Sequence, residues 1–434
     1  MELKIQLFIL AAIAMCVCTA FADCDYDIVE SMPEGLELED PANARVVRTH
    51  ESLIEMVNSA QKTLRIASFY WYLTPPAKFM NSSATEPGIK LMDAIKSAAT
   101  RGVNLEVLLD GSGRRDMSNP EDVAALRQIG TVKQINMTRL LKNGVMHSKF
   151  MIVDNSTFYV GSSNFDWRSY TEIKEMGLTF KDCFELASDL DKIFRAYMLL
   201  ADSTEVPDSF GDDLKTSINM HNPFIMKMGN SNGPSVFLTG SPPAFNGKND
   251  WTGRTDDIDG LLHLIDNARH RISISVMNYS PRTEFIFPKQ YWPRIDDALR
   301  RAATTRRVKV ELLFSNWSST KPSELAWYKS LNAVQSSDFH SGGIHVKLFK
   351  VPAFDDYQRS LPFARVKHDK YMVTDSSLFL GTSNWTPDYF INTAGVSLIL
   401  RPTNQSKSKL SIVNNFQEIF DRDFGSKYAQ ELSG

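Results

Sequence analysis

The sequence predicts an α/β protein made of two similar halves, each a mostly parallel or mixed sheet flanked by helices, related by a pseudo-twofold axis. Three observations support this class: an internal repeat, short apolar runs that alternate with amphipathic helices, and a motif present in both copies. The 434 residues are 43% hydrophobic and 11% aromatic, with four cysteines and a net charge of −3. These values exclude a disordered chain and a disulfide-rich scaffold, and they argue against a strongly basic nucleic-acid-binding protein.

The first 22 residues have the pattern of a secretory signal peptide. Lys4 precedes an apolar run that reaches Cys18, and the small residues Ala20 and Ala22 predict cleavage before Asp23. An uncleaved anchor is the alternative, but about 16 apolar residues are fewer than the roughly 20 that span a bilayer. We therefore expect a protein of the secretory pathway, located in the lysosomal or endosomal lumen or secreted, without a stable membrane anchor.

Four cysteines become two after this cleavage, because Cys16 and Cys18 leave with the signal peptide. Cys24 and Cys183 are then the one pair that can form an intramolecular disulfide in an oxidising compartment. The alternative is two separate buried thiols. A bridge would tie the new amino terminus to the body of the fold.

Asn-x-Ser/Thr sequons in such a compartment are candidates for glycosylation. The candidates are Asn81, Asn136, Asn278, Asn316 and Asn404. Asn155 and Asn384 are also sequons, but they lie at or inside the repeated motif described below. We expect these two to be unmodified.

The repeat is visible when the chain is compared with itself. The matching pairs are Arg65–Ser68 with Arg271–Ile274, Leu91–Gly102 with Ile295–Arg306, and Leu105–Asp110 with Val310–Ser315. Within each unit, helical spacing of apolar residues alternates with short apolar runs, which indicates parallel strands joined by helical crossovers. We place the first half at residues 23–205 and the second at 236–434. The linker, 206–235, is predicted from its Pro, Gly and Asn content.

Both halves contain the motif H-x-K-x4-D followed by G-[ST]-x-N. Its residues are His147, Lys149, Asp154 and Asn164 in the first half, and His368, Lys370, Asp375 and Asn384 in the second. In an extended segment, residues two apart point to the same side, so each half presents an imidazole and an ammonium together. Two such sets facing each other would surround a phosphodiester anion, with one imidazole on each side of the phosphorus. The aspartates are expected to be structural, because a carboxylate aimed at an anion would oppose binding.

This duplicated motif resembles the signature of the phospholipase D superfamily. The resemblance extends to the endolysosomal phospholipases D of type three and type four, over roughly Val46 to Asp423. The stretches that carry it include Gly161–Ser169, Ile173–Gly177, Val276–Tyr279, Tyr291–Asp297, Val346–Phe349 and Gly381–Trp385. The chain departs from those relatives in having fewer cysteines and a cleavable amino terminus in place of a membrane anchor.

The resemblance implies a metal-independent phosphodiesterase with a phosphohistidine intermediate and no cofactor. The expected substrate is single-stranded DNA or RNA, degraded from the 5′ end to nucleoside 3′-phosphates in an acidic compartment. The alternatives are a phospholipase D or transphosphatidylase acting on lysosomal phospholipids, and an inactive binding module, which the two intact His-Lys-Asn sets disfavour. A homodimer is compatible with the sequence.

Roles within the site follow from the same resemblance. Lys149, Lys370, Asn164 and Asn384 are expected to hold the non-bridging oxygens of the phosphate. Glu175 lies where the superfamily places a carboxylate behind the nucleophilic imidazole, whereas residues 392–396 contain no carboxylate. We therefore expect His147 to be the nucleophile and His368 the acid/base. A surface charge is the alternative reading of Glu175.

Aromatic residues near the carboxyl ends of the predicted strands are candidates for base stacking. They are Tyr70, Trp71, Tyr72, Trp167 and Trp385. The alternative for each is a place in the core. A metal site is not expected, because the remaining histidines are scattered without ligand spacing.

Overall fold

The computed structural model describes residues 24–42, 44–80, 82–113, 117–228, 231–334, 342–403 and 411–432. The predicted signal peptide and the sequons at Asn81 and Asn404 lie outside these residues. In the described part of the chain, no helix is both long and apolar enough to cross a membrane.

The first half forms a mixed sheet with the strand order β2-β1-β10-β8-β7-β3-β5-β6, and β4 pairs with β9 apart from it. Its strands are β1 Asp25–Ser31, β2 Val46–Arg48, β3 Thr63–Ser68, β4 Trp71–Tyr72, β5 Asn104–Asp110, β6 Thr131–Ile135, β7 Phe150–Val153, β8 Thr157–Gly161, β9 Phe165–Asp166 and β10 Glu175–Lys181. Its helices are α1 Thr49–Ser59, α2 Glu86–Thr100, α3 Pro120–Ile129, α4 Met137–Leu141, α5 Arg168–Thr171 and α6 Phe184–Asp202.

The second half forms a sheet with the order β11-β12-β19-β18-β17-β14-β15-β16-β20, with β13 beside β12. Its strands are β11 Phe224–Met228, β12 Ser231–Ser241, β13 Thr255–Asp256, β14 Arg271–Val276, β15 Lys309–Ser315, β16 Gly343–Phe349, β17 Lys370–Thr374, β18 Leu378–Gly381, β19 Gly395–Arg401 and β20 Ala429–Glu431. Its helices are α7 Asp257–Asn267, α8 Arg294–Thr305, α9 Pro322–Asn332, α10 Asp356–Ser360, α11 Pro387–Ile391 and α12 Ser411–Gly425.

The two halves share one plan. In each, three parallel strands joined through helices (β3, β5 and β6; β14, β15 and β16) are followed by an antiparallel meander (β7, β8 and β10; β17, β18 and β19). The predicted α/β class with two similar halves is confirmed, and the sheets are mixed. The buried meander strands are as apolar as parallel strands, so burial pattern alone does not distinguish their direction.

The end of the predicted linker, 206–235, overlaps two strands of the second sheet. Residues 224–228 form β11, and the last residues of the segment begin β12. Pro234 lies where the register between these two strands shifts, a position at which a strand tolerates proline. The Pro, Gly and Asn content of the segment predicts a loop, but its last residues form strands at the edge of the second sheet.

Among the described residues, three large hydrophobic clusters and one small cluster around Phe79 and Trp167 form the core. One packs α1 and α2 on the first sheet, and another packs α7 and α8 on the second. The largest contains residues of both sheets, such as Leu178 and Leu398, together with α6 and α12. Because this cluster is continuous across the halves, it fixes them relative to each other. The predicted Cys24–Cys183 disulfide is present and joins the residue before β1 to the residue before α6.

Candidate active site

The two motif segments meet where the halves meet. The backbone N–H of His147 donates to the carbonyl of Ala394 at 2.8 Å, and the backbone N–H of His368 donates to the carbonyl of Lys174 at 2.8 Å. Short parallel bridges, Met146 with Ala394 and Lys174 with Lys367, form on the two sides. Each histidine is thus positioned by the opposite half, which brings the two His-Lys-Asn sets together.

The two motif lysines are fully buried beside their histidines. The Nζ of Lys149 donates to the carbonyl of His147 at 2.6 Å, and the Nζ of Lys370 donates to the carbonyl of His368. Burial lowers the pKa of Lys370 to about 7. Burial and the nearby Lys370 lower the pKa of Lys149 well below its ordinary value. Burial makes these two lysines costly to protonate, and a bound phosphodiester anion would stabilise their ammonium forms.

The two imidazoles are oriented by different partners. The Nδ1 of His147 lies 2.9 Å from the carbonyl oxygen of Thr382, and the Nδ1 of His368 lies 2.8 and 2.9 Å from the two carboxylate oxygens of Glu175. A carbonyl can only accept, so His147 carries its proton on Nδ1 and leaves a lone pair on Nε2. Burial and the two lysines lower the pKa of both imidazoles well below the ordinary value.

Glu175 therefore lies behind His368, and the expected contact with His147 is wrong. Glu175 begins β10 directly after Lys174, which pairs with Lys367 of the second motif. Glu175 belongs to the first half in sequence, but its carboxylate contacts the imidazole of His368 in the second half. Its burial is complete, and this raises the pKa of Glu175 well above its ordinary value.

The equivalent position in the second half is Gly395, the first residue of β19. A Cβ there would lie 2.3 Å from the Oγ of Ser383 and 2.8 Å from the Oγ of Ser241, so a side chain at this position would require both hydroxyl groups to move. In this chain the carboxylate stands on one side only. The site is chemically asymmetric even though its backbone is nearly symmetric.

The two motif asparagines complete the site. Asn164 and Asn384 are 5% and 6% exposed, and the Nδ2 of Asn384 donates to the hydroxyl of Tyr389 at 3.3 Å. Within the described residues, the Oδ1 atom of each asparagine has no hydrogen-bond partner. Amide groups buried in this way, with an oxygen left unpaired, are suited to contact polar groups of a substrate.

Three of the residues expected to stack bases are core residues instead. Trp71, Trp167 and Trp385 are 0–1% exposed, and Trp71 stacks on Phe165 at 5.0 Å. Tyr70 is 7% exposed and donates to Asp166 at 2.8 Å. Burial of these rings is the physical reason that the stacking prediction is wrong for them. Tyr72 is only partly buried.

Two other aromatic residues, which sequence reasoning missed, flank the first histidine. Phe69 and Tyr389 each lie 5.0 Å from the His147 ring, measured between centroids, and the Nζ of Lys149 lies 5.5 Å from the Phe69 centroid. Phe69 directly follows β3, so its position at the end of a predicted strand could have identified it as a candidate site residue. Tyr389 is brought in by α11, which only the tertiary structure reveals.

The motif aspartates bind backbone rather than substrate. Asp154 accepts from the backbone N–H groups of residues 61–63 at 2.7–2.8 Å. Asp375 does the same for residues 269–271, at 2.6–3.2 Å. Each clamps the turn that leads into the first parallel strand of its own half, which is a structural role.

A buried ionic network lies beside His368. The Nζ of Lys367 is 2.6 Å from Asp369 and 2.7 Å from Asp423, and the Nζ of Lys174 is 2.9 Å from Asp423. The remaining members are Glu30 and Arg422. Although burial opposes ionisation, the surrounding cations lower the pKa of Asp423 below its ordinary value. In the part of the chain that the structure describes, no cluster of three or more His, Cys, Asp or Glu side chains could hold a metal ion.

Two facing His-Lys-Asn sets on a duplicated α/β unit define a phosphodiester-cleaving enzyme of the phospholipase D type. Comparison with known proteins agrees with this class. The family model described as "PLD3/4, PLD-like domain" matches residues 42–354. The chain belongs to this family, and it is a phosphodiesterase.

Similar proteins cover nearly the whole chain. A Xenopus laevis protein named 5'-3' exonuclease PLD3 is 39% identical over 94% of this chain and 80% of its own length. A Caenorhabditis elegans protein named as a probable phospholipase D is 34% identical over 94% of this chain and 71% of its own. The crystal structure of the phosphatidylserine synthase of Haemophilus influenzae has a TM-score of 0.58 at 12% identity, covering 88% of this chain and 85% of that one. This last similarity concerns the fold alone.

Proposed function

We propose that this protein is a 5′ to 3′ exonuclease that degrades single-stranded DNA or RNA to nucleoside 3′-phosphates through a phosphohistidine intermediate. The different partners of the two imidazoles carry the mechanistic part of the proposal, because they give the two histidines different proton states. The relatives named 5'-3' exonuclease support the substrate class. Both His-Lys-Asn sets are intact, which disfavours an inactive binding module.

In the first step His147 attacks. Its Nδ1–H is held by the carbonyl of Thr382, so the Nε2 lone pair can form the bond to phosphorus. The bond from phosphorus to the 5′ oxygen of the following nucleotide breaks. The first nucleoside stays attached through its 3′ oxygen to a phosphohistidine.

His368 supplies the proton to the departing 5′ oxygen. Burial raises the pKa of Glu175, which favours a protonated carboxyl group that donates a hydrogen bond to Nδ1 of His368. His368 then carries hydrogen on Nε2, gives it to the leaving group, and regains one on Nδ1 from Glu175. The contact of Glu175 with His368 supports the assignment of His368 as the acid, and the contact of Thr382 with His147 supports the assignment of His147 as the nucleophile.

In the second step water displaces His147. His368, now with a lone pair on Nε2, takes the proton from water as the new P–O bond forms and the P–N bond breaks, and its Nδ1 proton returns to Glu175, which restores the starting state. The product is a nucleoside 3′-phosphate. Throughout, Lys149, Lys370 and the two asparagines are placed to stabilise charge on the non-bridging oxygens.

The proposed compartment is the lumen of lysosomes or endosomes, or the cell exterior. The signal-peptide pattern and the Cys24–Cys183 disulfide support an oxidising secretory route. Glycosylation of Asn136, Asn278 and Asn316 remains a prediction, as does a homodimer. The Nδ2 of Asn155 donates to Ser188 at 2.8 Å, a contact in favour of that sequon being unmodified.

Hydrolysis of phospholipids is the second candidate, supported by the relative named as a probable phospholipase D. One experiment compares the two. The purified protein is incubated near pH 5 with a 5′-hydroxyl single-stranded oligonucleotide and, separately, with phosphatidylglycerol vesicles plus an alcohol acceptor. We expect stepwise shortening from the 5′ end with release of 3′-mononucleotides. Lipid turnover without shortening of the oligonucleotide would reject the exonuclease proposal.

A further inference from the structure

The end of β19 farthest from the active site carries an arginine without an acidic partner. Arg401 is partly buried, and no ion pair among the described residues includes its guanidinium. Its Nη2 donates to the carbonyl of Met220 at 2.8 Å, and its Cζ lies 5.0 Å from the centroid of the Phe237 ring. Burial lowers the pKa of Arg401, because the charge loses water and gains no anion in return.

The equivalent cation of the first half is neutralised. Lys181 ends β10 as Arg401 ends β19. The Nζ of Lys181 lies 2.8 Å from a carboxylate oxygen of Glu55 and 3.4 Å from one of Asp27. The first half therefore supplies two carboxylates to the cation at this position.

The duplication shows which residues replace these two acids in the second half. Glu55 is the seventh residue of α1, and His263 is the seventh residue of α7. Asp27 is the third residue of β1 to pair with β10, and Phe237 is the third residue of β12 to pair with β19. The second half thus keeps the cation and replaces both of its counter-ions, one by an imidazole and one by an apolar ring.

The imidazole leaves the charge of Arg401 uncompensated. The Nη1 of Arg401 lies 3.0 Å from the Nε2 of His263. Because a guanidinium can only donate, His263 accepts at Nε2 and is neutral in this arrangement. Burial and the charge of Arg401 lower the pKa of His263, which also favours the neutral form.

A cavity of about 270 Å³, called here the Arg401 cavity, lies beside this guanidinium. At roughly 30 Å³ per water molecule, it has room for several waters, and hence for an anion with a substituent. Hydroxyl and amide groups that can donate to an anion line its wall. The polar lining residues include Ser235, His263, Asn267, Ser376, Ser377 and Arg401.

The acidic side chains nearby have other partners. Asp375 lines the cavity, but its carboxylate accepts from the backbone N–H groups of residues 269–271. Asp266, on α7, lies 3.5 Å from Arg301. Backbone N–H groups directed at a carboxylate stabilise its negative charge. The uncompensated charge at the cavity wall is therefore that of Arg401.

We propose that the Arg401 cavity binds a small phosphate-bearing anion, either free phosphate or a phosphomonoester, with its phosphate group on the guanidinium. A guanidinium has five N–H donors in a planar fork that matches two phosphate oxygens. Within the described part of the chain, two donors of Arg401 have acceptors, which leaves three for an anion.

The proposed site is separate from catalysis. Gly395, beside the catalytic residues, begins β19, and Arg401 ends it. At about 3.3 Å per strand residue, the two ends lie roughly 20 Å apart. The proposal depends on the charge of the second half and not on the exonuclease function, so it adds a second phosphate site to the chain.

The number of phosphate ions bound per protein tests the site. Equilibrium dialysis with radiolabelled inorganic phosphate near pH 6, at low ionic strength, counts every phosphate site, including the catalytic one. Arg401→Gln is expected to bind one phosphate fewer than wild type. His263→Glu is expected to do the same, because its carboxylate restores the counter-ion that Glu55 supplies in the first half. Retention of the wild-type number in either folded variant would overturn the proposal.

Lys181→Gln is the matched control. It removes the equivalent cation, which already has two carboxylate partners. This variant is expected to bind the same number of phosphate ions as wild type. Loss of one phosphate in the control would show a general effect of removing positive charge and would also overturn the proposal. Thermal unfolding followed by circular dichroism identifies the folded variants that enter the comparison.

Competition distinguishes the two sources of the phosphate group. The bound phosphate that differs between wild type and Arg401→Gln is displaced with adenosine 3′-phosphate, glycerol phosphate, unlabelled phosphate or chloride. We expect the phosphomonoesters to displace it at lower concentration than unlabelled phosphate, because the cavity has room for a substituent. More effective displacement by unlabelled phosphate would support the site with free phosphate as its ligand. Displacement by chloride at the same concentrations would overturn the proposal, because the cavity would then select charge alone.

Discussion

His147 and His368 occupy equivalent backbone positions in two similar halves, but their surroundings differ in charge. Met146 and Ser148 flank His147, and a backbone carbonyl holds its Nδ1. Lys367 and Asp369 flank His368, and a carboxylic group holds its Nδ1. A duplicated unit supplies the symmetric phosphate site, whereas catalysis requires one imidazole that attacks and one that donates a proton. In the proposed mechanism, differences in the residues behind the histidines, rather than in the motif itself, produce this division.

Removal of each histidine has the largest expected effect. His147→Ala and His368→Ala should each lower kcat on the order of 10⁴-fold or more, because each step of the reaction needs both groups. The variants should differ in the intermediate. With a fluorescent 5′-terminal nucleotide and an alkaline quench, His368→Ala should accumulate labelled protein, whereas His147→Ala should not. Label on His147→Ala alone would reverse the assignment.

Lys367 precedes His368 as Met146 precedes His147, so the variant Lys367→Met tests how much the buried ionic network stabilises the fold. Lys367→Met leaves Asp369 and Asp423 without the ammonium that they share. We expect a loss of about 3–5 kcal/mol in the free energy of unfolding, measured by urea denaturation. Met146→Leu is the control in the first half and should cost less than about 1.5 kcal/mol. A Lys367→Met protein as stable as wild type would show that the network contributes little.

The variant Glu175→Gln distinguishes two roles of Glu175: supplying a proton to His368, and only orienting the His368 ring. The amide can still donate a hydrogen bond to Nδ1 of His368, but it cannot transfer a proton. We therefore expect kcat to fall roughly 10²-fold while the KM for the oligonucleotide changes little. Glu172→Gln, a buried neighbour that pairs with Arg365 at 2.9 Å, should keep kcat. Wild-type turnover in Glu175→Gln would leave Glu175 with an orienting role only.

The smallest expected effect is the change with pH of the KM for the oligonucleotide. Burial lowers the pKa of Lys370 to about 7, so its ammonium form is populated below pH 7 and lost above it. The KM for the oligonucleotide should therefore fall as the pH falls from 8 to 6, by roughly 10-fold if one pKa unit of coupling is involved. In Lys370→Met this slope should be reduced. An equal slope in the variant would assign the titration to another group.

Local sequence determined much of the site. The His-x-Lys spacing, the following asparagines and the duplication predict which side chains come together in the proposed site, because residues two apart on a strand share a side. Local sequence patterns did not reveal which residues contact each other across the two halves. Glu175 follows His147 in sequence, but the pairing of Lys174 with Lys367 places it against His368. Likewise, Trp71, Trp167 and Trp385 lie near motif residues in sequence but face the core.

The sequence by itself determined the class, the two similar halves, the two His-Lys-Asn sets and the Cys24–Cys183 pair. These depend on periodicity, repetition and residue type, which are local properties. Tertiary structure decided which histidine has the carboxylate, where the buried charges lie and which aromatic rings face water. Each of these depends on the packing of one half against the other, through contacts between residues far apart in the chain. The chemical asymmetry of a symmetric site is therefore a property of the interface between the halves.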